Sequence, residues 1–288
     1  MSIKRVGALA ALTASFVLAY HDVLFWLADD WELDGNYSHG WLILPLAAYL
    51  AWERREHLSA LPLRPSRWGL AALVCGVIGL AAGTLAAETF VARISLVLSI
   101  VATIWYTCGA AHVVALRFPL AFLLLMIPIP DIIFNRIAFP LQLIASDLGA
   151  QSLAATGIPV FREGNVINLA RLNLDVAEAC SGIRSLISLF TLSLLYGYFV
   201  EPRAAIRAVL VLATVPVAIL ANGLRVAATG FAAHFYGAQA AEGFFHSFSG
   251  WLVFLVAGVA LLALRQVLTL ILGTVPPAAE RPATEGYV

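Results

Sequence analysis

Residues 252–264 read Leu-Val-Phe-Leu-Val-Ala-Gly-Val-Ala-Leu-Leu-Ala-Leu, a run without a single polar side chain. The run lies inside a mostly apolar stretch, 247–272, which is long enough to cross a bilayer as a helix, since that takes about 20 residues. The whole chain has this character: 61% of its 288 residues are hydrophobic, 12% are charged, and its mean hydropathy is +0.91. A soluble domain of this size could not bury so much apolar surface. The sequence therefore predicts an all-α polytopic membrane protein.

Several other apolar stretches precede this one along the chain. We expect them to form one integral membrane domain over residues 1–272, which includes an extracytoplasmic segment at 130–179. A disordered cytoplasmic tail is expected over residues 273–288, where prolines interrupt a short polar sequence. The predicted membrane helices, about eight in number, cover residues 6–27, 39–52, 68–87, 90–108, 112–129, 182–200, 206–222 and 247–272.

The distribution of charge predicts the orientation of these helices. If the N-terminus is cytoplasmic, most basic residues fall on the inner side, among them Arg54, Arg64 and Arg67, whereas the outer side receives mainly acidic residues such as Asp30 and Glu88. The formal net charge is zero, so a nucleic-acid partner has no electrostatic support. The lipid bilayer is the partner that the composition indicates.

The segment before the sixth predicted helix has a different pattern. Residues 134–155 have helical apolar spacing and few charges, which is typical of an interfacial amphipathic helix. Residues 158–176 alternate around Gly164-Asn165, which predicts a small β-hairpin. A strand of this hairpin would lead the chain toward Cys180.

The sequence Ala177-Glu178-Ala179-Cys180-Ser181-Gly182-Ile183-Arg184-Ser185 places a thiol at the start of the sixth predicted helix. A helix N-terminus lowers the pKa of a thiol, and the thiolate is a nucleophile. Ser181 and Gly182 suit a helix start and a close approach of backbones. Glu178 and Arg184 flank the thiol, and charge beside a bilayer is costly and tends to be functional. The alternative is that Cys180 is a small buried cysteine of a membrane helix.

Two further residues could act with a thiol. Arg225 follows Asn222-Gly223, which breaks an apolar stretch, and its guanidinium could stabilise an oxyanion or snorkel to lipid headgroups. His246 begins the last predicted helix, where it could be an acid/base or a helix cap. His39 and His234 lie on the same predicted side of the membrane, and spacing alone does not choose among the three histidines.

Other mechanisms have less support in the sequence. It contains no His-Glu-x-x-His, no Gly-x-Ser-x-Gly, no phosphate-binding loop and no paired membrane aspartates, so neither a metal nor a cofactor is predicted. Cys75 and Cys108 lie in other apolar stretches, and no disulfide framework is expected. The rival hypothesis is a non-enzymatic membrane subunit or transporter for exopolysaccharide export. Transporters place polar residues near the membrane midplane, and the apolar centre at 252–264 disfavours that role.

Taken together, four segments resemble the exosortase/archaeosortase family of membrane cysteine transpeptidases, and the match around Cys180 favours an exosortase, of the A type. The resemblance implies a catalytic set of Cys180, His246 and Arg225, with no cofactor, on the periplasmic face of a bacterial inner membrane. The segments that carry it are Tyr37-Ser38-His39-Gly40-Trp41 with Trp52-Glu53-Arg54-Arg55, residues 177–185, Asn222-Gly223-Leu224-Arg225, and His246 to Trp251.

The resemblance also implies a substrate class. Family substrates are membrane-tethered proteins with a C-terminal sorting signal, which consists of a Pro-Glu-Pro motif, a membrane helix and a basic cluster. Cleavage would pass through a thioester on Cys180, and the product would be hydrolysed or transferred to a surface polysaccharide or lipid acceptor. The residues expected to bind substrate or support the catalytic set are Glu178, Arg184, Asn222, Ser181 and His39.

Overall fold

The computed structural model describes residues 3–169, 172–176, 182–237 and 244–273. The chain divides into two compact units, Met1–Pro130 and Asp131–Val288. In the described part of the first unit, apolar sequences form eight helices and a closing 3₁₀ turn. These elements are α1 (Ile3–Ala19), α2 (His21–Leu33), α3 (Gly40–Glu53), α4 (Arg55–Ala60), α5 (Arg67–Leu85), α6 (Thr89–Thr107), α7 (Ala110–Ala115), α8 (Arg117–Phe122) and the 3₁₀ turn Leu123–Met126.

Helices α5 and α6 form a tightly packed antiparallel hairpin. Gly69, Gly76 and Gly83 recur every seven residues on the face of α5 that contacts α6, where an added Cβ would collide with α6 backbone or with a serine hydroxyl. Small residues let helix backbones approach closely in a membrane, where apolar burial between helices gives little driving force. The opposite face of α5 is apolar and exposed, for example at Val77 and Ile78.

The first predicted span is bent. The part of the chain between Ala11 and Leu33 turns by 64° at the break between α1 and α2. Tyr20 lies at this break, and its buried hydroxyl is 2.7 Å from the Ser99 hydroxyl and 3.1 Å from the Ser95 carbonyl of α6. These tertiary hydrogen bonds hold the side chain at the bend, which apolar spacing alone could not reveal.

The second unit combines helices with a small sheet. Three strands form an antiparallel sheet in the order β1-β2-β3, and the predicted turn at Gly164-Asn165 is confirmed by the pairing of Glu163 with Val166. The sequence predicted one hairpin, whereas β2 also pairs with a third strand. The elements of this unit are α9 (Asp131–Ala155), β1 (Val160–Glu163), β2 (Val166–Leu169), β3 (Leu172–Asp175), α10 (Ile183–Val200), α11 (Ala204–Tyr236) and α12 (Phe244–Leu272).

Helix α11 is much longer than the predicted span 206–222. The prediction ended it at Asn222-Gly223, which is wrong, since the helix continues to Tyr236. Gly223 is a packing position rather than a helix breaker, because a Cβ there would lie 2.7 Å from the Leu148 side chain of α9. Beyond this point α11 packs against α9 and the sheet around a buried cluster that includes Leu153, Ile167 and Val226.

The fold class is confirmed: the chain is an all-α polytopic membrane protein with a small sheet. Of the described helices, five are long and apolar enough to cross a membrane, or up to seven spans arise if each of two bent helix pairs counts as one. The predicted span 39–52 corresponds to α3, whose 14 residues are short for a bilayer. The predicted span 112–129 is divided among α7, α8 and the 3₁₀ turn. The helix predicted at 134–155 is present as α9.

Candidate active site

Helix α10 begins against the middle of α11. Gly182 is the residue before α10, it is buried, and its φ of +79° is in the left-handed region that favours glycine. A Cβ at this position would lie 2.8 Å from the Asn222 side chain. The close backbone approach predicted for Gly182 is therefore confirmed, and its partner is α11.

The chain on the other side of Cys180 is anchored at Val176. This residue follows β3, is 0% exposed, and belongs to the hydrophobic cluster that includes Val226 of α11. Asn165, in the first turn of the sheet, fixes the same point: the Val176 N–H donates to the Asn165 carbonyl at 3.0 Å, and the Asn165 amide donates to the Val176 carbonyl at 3.3 Å. The five residues 177–181 thus connect two anchored positions.

One turn of α11, residues 222–226, lies at the centre of this arrangement. Asn222 lies against Gly182, and Val226 packs in the same hydrophobic cluster as Val176. Arg225 lies between Asn222 and Val226 in the sequence of this helix. Asn222 is 1% exposed and Arg225 is 9% exposed, so two strongly polar side chains are buried here. Burying such groups is costly unless they interact with polar or charged partners, and both residues do so in this structure.

The start of α12 meets the same turn. A Cβ on Gly250 would lie 3.5 Å from Nη2 and 3.6 Å from Cζ of Arg225, so the guanidinium lies directly against the α12 backbone. His246 precedes Gly250 by four residues, about one turn of helix. It belongs to α12, and its side chain lies outside the described residues.

Four other predicted site residues belong to this region of the chain. Glu178, Cys180 and Ser181 lie outside the described residues. Arg184 is in the first turn of α10 and is exposed. The structure therefore brings together Asn222, Arg225 and the backbone on either side of the Cys180 segment.

His39 belongs to the first unit and contacts the backbone there. Its Nε2 is 3.2 Å from the Leu125 carbonyl oxygen, which requires Nε2 to carry the proton and donate. Two neighbours bind the same part of the chain: the Trp31 indole donates to the Met126 carbonyl at 2.8 Å, and the Tyr37 hydroxyl accepts from the Ile129 N–H at 3.0 Å. The sequence did not predict this role for the three aromatic side chains.

A signal for that role is present in the sequence. Pro128 and Pro130 interrupt the segment after the 3₁₀ turn, so its carbonyls and N–H groups cannot all be satisfied within a helix. Buried tryptophan and tyrosine side chains usually hydrogen-bond through their polar ends. The sequence therefore indicates that this segment needs side-chain partners, but not that Trp31, Tyr37 and His39 supply them, since they are 86–95 positions away.

The remaining candidates are separated from Arg225 or lie in the other unit. His234 is exposed and comes nine residues after Arg225 on α11, about 13 Å along the helix axis. Cys75 and Cys108 of the first unit are free cysteines. Among the residues that the structure describes, no three His, Cys, Asp or Glu side chains converge as metal ligands.

Comparison with known proteins identifies the family. The model of the transmembrane exosortase family matches residues 31–263 of the chain. The chain belongs to the transmembrane exosortase family. The matched region includes Cys180, Arg225 and His246. It also includes Trp31, Tyr37 and His39, whose side chains bind the backbone of residues 125–129. Neither the curated proteins nor the solved structures contain a match to this exosortase.

Proposed function

We propose that this exosortase is a membrane cysteine peptidase and transpeptidase that cleaves the C-terminal sorting signal of exported proteins through a thioester on Cys180. The substrate would carry a Pro-Glu-Pro motif, a membrane helix and a basic cluster. The acceptor would be an amine or hydroxyl of a surface polysaccharide or lipid, with water as the alternative. As in the family resemblance, the catalytic set is Cys180, Arg225 and His246.

One observation carries the proposal. Val176 and Gly182, which bracket the Cys180 segment, are both held near the turn of α11 that contains Arg225. Cys180 comes two residues before Gly182, and two residues of chain span at most about 7 Å. This spacing limits how far the Cys180 backbone can lie from the turn. Gly250 brings the helix of His246 to the same guanidinium. The described parts of the cysteine and histidine motifs thus lie near one turn of α11, which supports the proposed set.

The reaction divides into two steps at Cys180. In the first, the thiolate attacks the scissile carbonyl carbon, a C–S bond forms, the C–N bond breaks, and the leaving amine takes a proton from His246. In the second, an amine, hydroxyl or water attacks the thioester carbon and gives a proton to His246, and the C–S bond breaks to restore the thiolate.

Arg225 has the properties of an oxyanion-stabilising group. Its guanidinium is always charged, presents several N–H donors in a fixed plane, and is largely withdrawn from water. Preorganised donors in a water-excluded site stabilise developing negative charge more strongly than they would in water. Asn222, one turn earlier on α11, is the neighbouring amide that would support this role.

The other predicted residues would act on the substrate. Arg184 is exposed at the start of α10, and we assign it to the acidic residue of the sorting motif. Glu178 and Ser181 flank Cys180 in sequence and would orient the thiol or the peptide. Docking of the substrate's own membrane helix against the bundle would make the attack effectively intramolecular, which lowers the barrier by several kcal/mol.

The proposed orientation places this site on the periplasmic face of a bacterial inner membrane, with the N-terminus and residues 273–288 in the cytoplasm. The excess of basic residues on the opposite side supports it. Alkaline phosphatase fused after residue 273 should be inactive, and the same enzyme inserted after Gly164 should be active. The reverse pattern would contradict the orientation and leave the chemistry untouched.

The test is cysteine-dependent processing in cells. A tagged substrate with a Pro-Glu-Pro sorting signal is co-expressed with the wild-type protein and followed by gel shift. Cys180→Ala and Cys180→Ser should abolish the shift, whereas the matched controls Cys75→Ala and Cys108→Ala should retain it. Processing that persists in Cys180→Ala at normal protein levels would refute the nucleophile.

Transport is not favoured by the described residues. The partly buried ion pair between Asp30 and Arg93 lies near the start of α6, not at its centre. The central polar contacts of that helix, at Ser95 and Ser99, are neutral hydrogen bonds to Tyr20. A transporter is expected to carry its ionisable residues near the midplane.

A further inference from the structure

A cluster of charged side chains lies at the other end of the helices that form the candidate active site. Glu201 follows α10, about 27 Å from Gly182 at the helical rise per residue, and its side chain is 1% exposed. Arg203 Nε donates to Glu201 Oε1 at 2.8 Å, and the Arg203 guanidinium also donates to the carbonyl of Gly273 after α12 at 2.8 Å. One carboxylate and one arginine thus join the ends of α10 and α12.

Two more arginines lie at the same end of these helices, and one of them pairs with the same carboxylate. Arg265 of α12 has its Nε 3.6 Å from Glu201 Oε2, and it donates to the Val200 carbonyl at 3.3 Å. Arg207 is in the first turn of α11. The aliphatic part of its side chain packs against Gly197 of α10, and its guanidinium donates to the Pro202 carbonyl at 3.4 Å. The three guanidiniums therefore come from the loop before α11, from α11 and from α12.

The charges of this cluster do not balance. Three arginines against one glutamate leave a formal net charge of +2. The side chains of Arg203 and Arg265 are 22% and 28% exposed, so part of each side chain reaches the surface beside the buried Glu201. Excess positive charge with exposed guanidinium surface fits an anion with several oxygens.

We propose that Arg203, Arg207 and Arg265 bind the phosphate of an anionic phospholipid headgroup. Guanidiniums are suited to phosphate, since their planar N–H groups match its oxygens. Large apolar side chains near the cluster are exposed at the ends of the same helices, as at Phe199, Leu270 and Ile271, where acyl chains would cover them. A soluble phosphate would satisfy the arginines but leave this apolar surface uncovered. Basic pockets between membrane helices on the cytoplasmic side are a recurring form of anionic lipid site.

The experiment uses the purified full-length protein in a neutral detergent. Phosphatidylglycerol, phosphatidylcholine and inorganic phosphate are titrated separately, and binding is measured by native mass spectrometry and by the thermal unfolding midpoint. We expect saturable binding of phosphatidylglycerol at least roughly tenfold tighter than that of phosphatidylcholine, because both lipids carry the phosphate but the excess positive charge of the cluster repels the choline cation. Tight binding of inorganic phosphate without a preference between the lipids would identify a soluble phosphate as the ligand and overturn the lipid assignment.

Arg207→Gln is the informative variant. The described contacts of Arg207 are with Gly197 and the Pro202 carbonyl, so its loss leaves the ion pairs of Glu201 in place. It should weaken phosphatidylglycerol binding roughly tenfold. Arg117→Gln removes an exposed arginine of the first unit and should leave the affinity unchanged. Equal affinity of Arg207→Gln and wild type would overturn the proposal. If Arg207→Gln does not purify, Arg265→Gln is tested in its place. If the wild-type protein binds phosphatidylglycerol and phosphatidylcholine equally, the proposal is overturned without any variant.

Discussion

The two ends of α10, α11 and α12 use arginine in different ways. At the Glu201 end, defined by Glu201, Arg203, Arg207 and Arg265, guanidiniums bind a carboxylate and the last carbonyls of helices, so they hold the helix ends together. At the Gly182 end, Gly182 and Gly250 lie against the side chains of Asn222 and Arg225 of α11, and Arg225 is buried. Arginine is therefore structural at the ends of these helices and a candidate for chemistry near the middle of α11.

This difference predicts separable phenotypes. Changes at the Gly182 end should reduce processing more than changes at the Glu201 end do, because Arg225 and the helix starts that contact it lie there. Changes at the Glu201 end should reduce stability more than the chemical step. The first three variants below test this separation, and the fourth tests the role of His39.

Arg225→Lys should have the largest effect. A lysine keeps the charge but loses the planar set of donors, so processing should fall about 100-fold or more if an oxyanion contact is lost. Substrate cleavage is measured in cells and the level of inserted protein by immunoblot. Arg117→Lys, at an exposed position in the first unit, is the matched control and should process normally. A lysine variant with normal cleavage would remove Arg225 from the catalytic set.

Gly182→Ala should come next. The added Cβ would meet Asn222 at 2.8 Å, and a φ of +79° is strained for alanine, at a cost of about 1–3 kcal/mol. We expect processing to fall roughly tenfold, since the start of α10 must shift relative to Arg225. Gly258→Ala is the control, because a Cβ there meets nothing within 4 Å. Equal processing by both alanine variants would show that this contact does not position the site.

Glu201→Gln should lower stability while the processing chemistry persists. Burial by itself raises the pKa of Glu201, but the hydrogen bonds and charge of Arg203 and the charge of Arg265 outweigh burial and lower that pKa below its ordinary value. A lowered pKa means that the carboxylate stabilises the fold above about pH 4.5 and that this contribution is lost as the pH falls further. Thermal unfolding should show a loss of about 1–3 kcal/mol at pH 7 for Glu201→Gln.

The pH dependence of this stability difference tests whether the charge of Glu201 is responsible for it. The difference between wild type and Glu201→Gln should shrink as the pH falls below about 4.5, because the carboxyl is protonated first in the unfolded state and, at lower pH, in the folded state as well. Glu56→Gln, whose side chain is 89% exposed, should match wild type at every pH. A difference that stayed constant with pH would mean that the ion pairs are not what stabilises this end.

His39→Ala should have the smallest effect. It removes one donor to the Leu125 carbonyl, which costs about 1 kcal/mol of stability. His39→Gln retains an N–H donor and should recover most of that loss, and both variants should still process substrate. If His39→Gln were stable but inactive, His39 would act in the reaction and not only as a donor to the Leu125 carbonyl.

The sequence was sufficient to predict the fold class and most helices, because long apolar stretches have few alternatives to membrane helices. It failed where tertiary contacts override a local signal. Asn222-Gly223 has the composition of a turn, yet both residues are inside α11, one packed against Gly182 and the other against Leu148. Strand β3 was not separated from β2, since the residues between them contain no glycine or proline to mark a turn.

The candidate site was predicted in its residue types more than in its arrangement. Arg225 and the close approach of Gly182 could be inferred from the sequence, since a buried charge and a glycine after a thiol are unusual near a bilayer. The anchoring of Val176 by Asn165 could not, because it depends on the register of the sheet. His39 could not be distinguished from a reactive histidine, since its partner is a backbone carbonyl 86 positions away.

The most direct measurement of the central claim is capture of the thioester. The full-length protein is incubated with a tagged sorting-signal substrate, quenched in acid, and analysed by peptide mass spectrometry. We predict a covalent adduct between the N-terminal part of the substrate and Cys180 that is cleaved by hydroxylamine and is absent from Cys180→Ala. Cleavage of the substrate without any adduct on Cys180, or with an adduct on Cys75 or Cys108, would contradict the account.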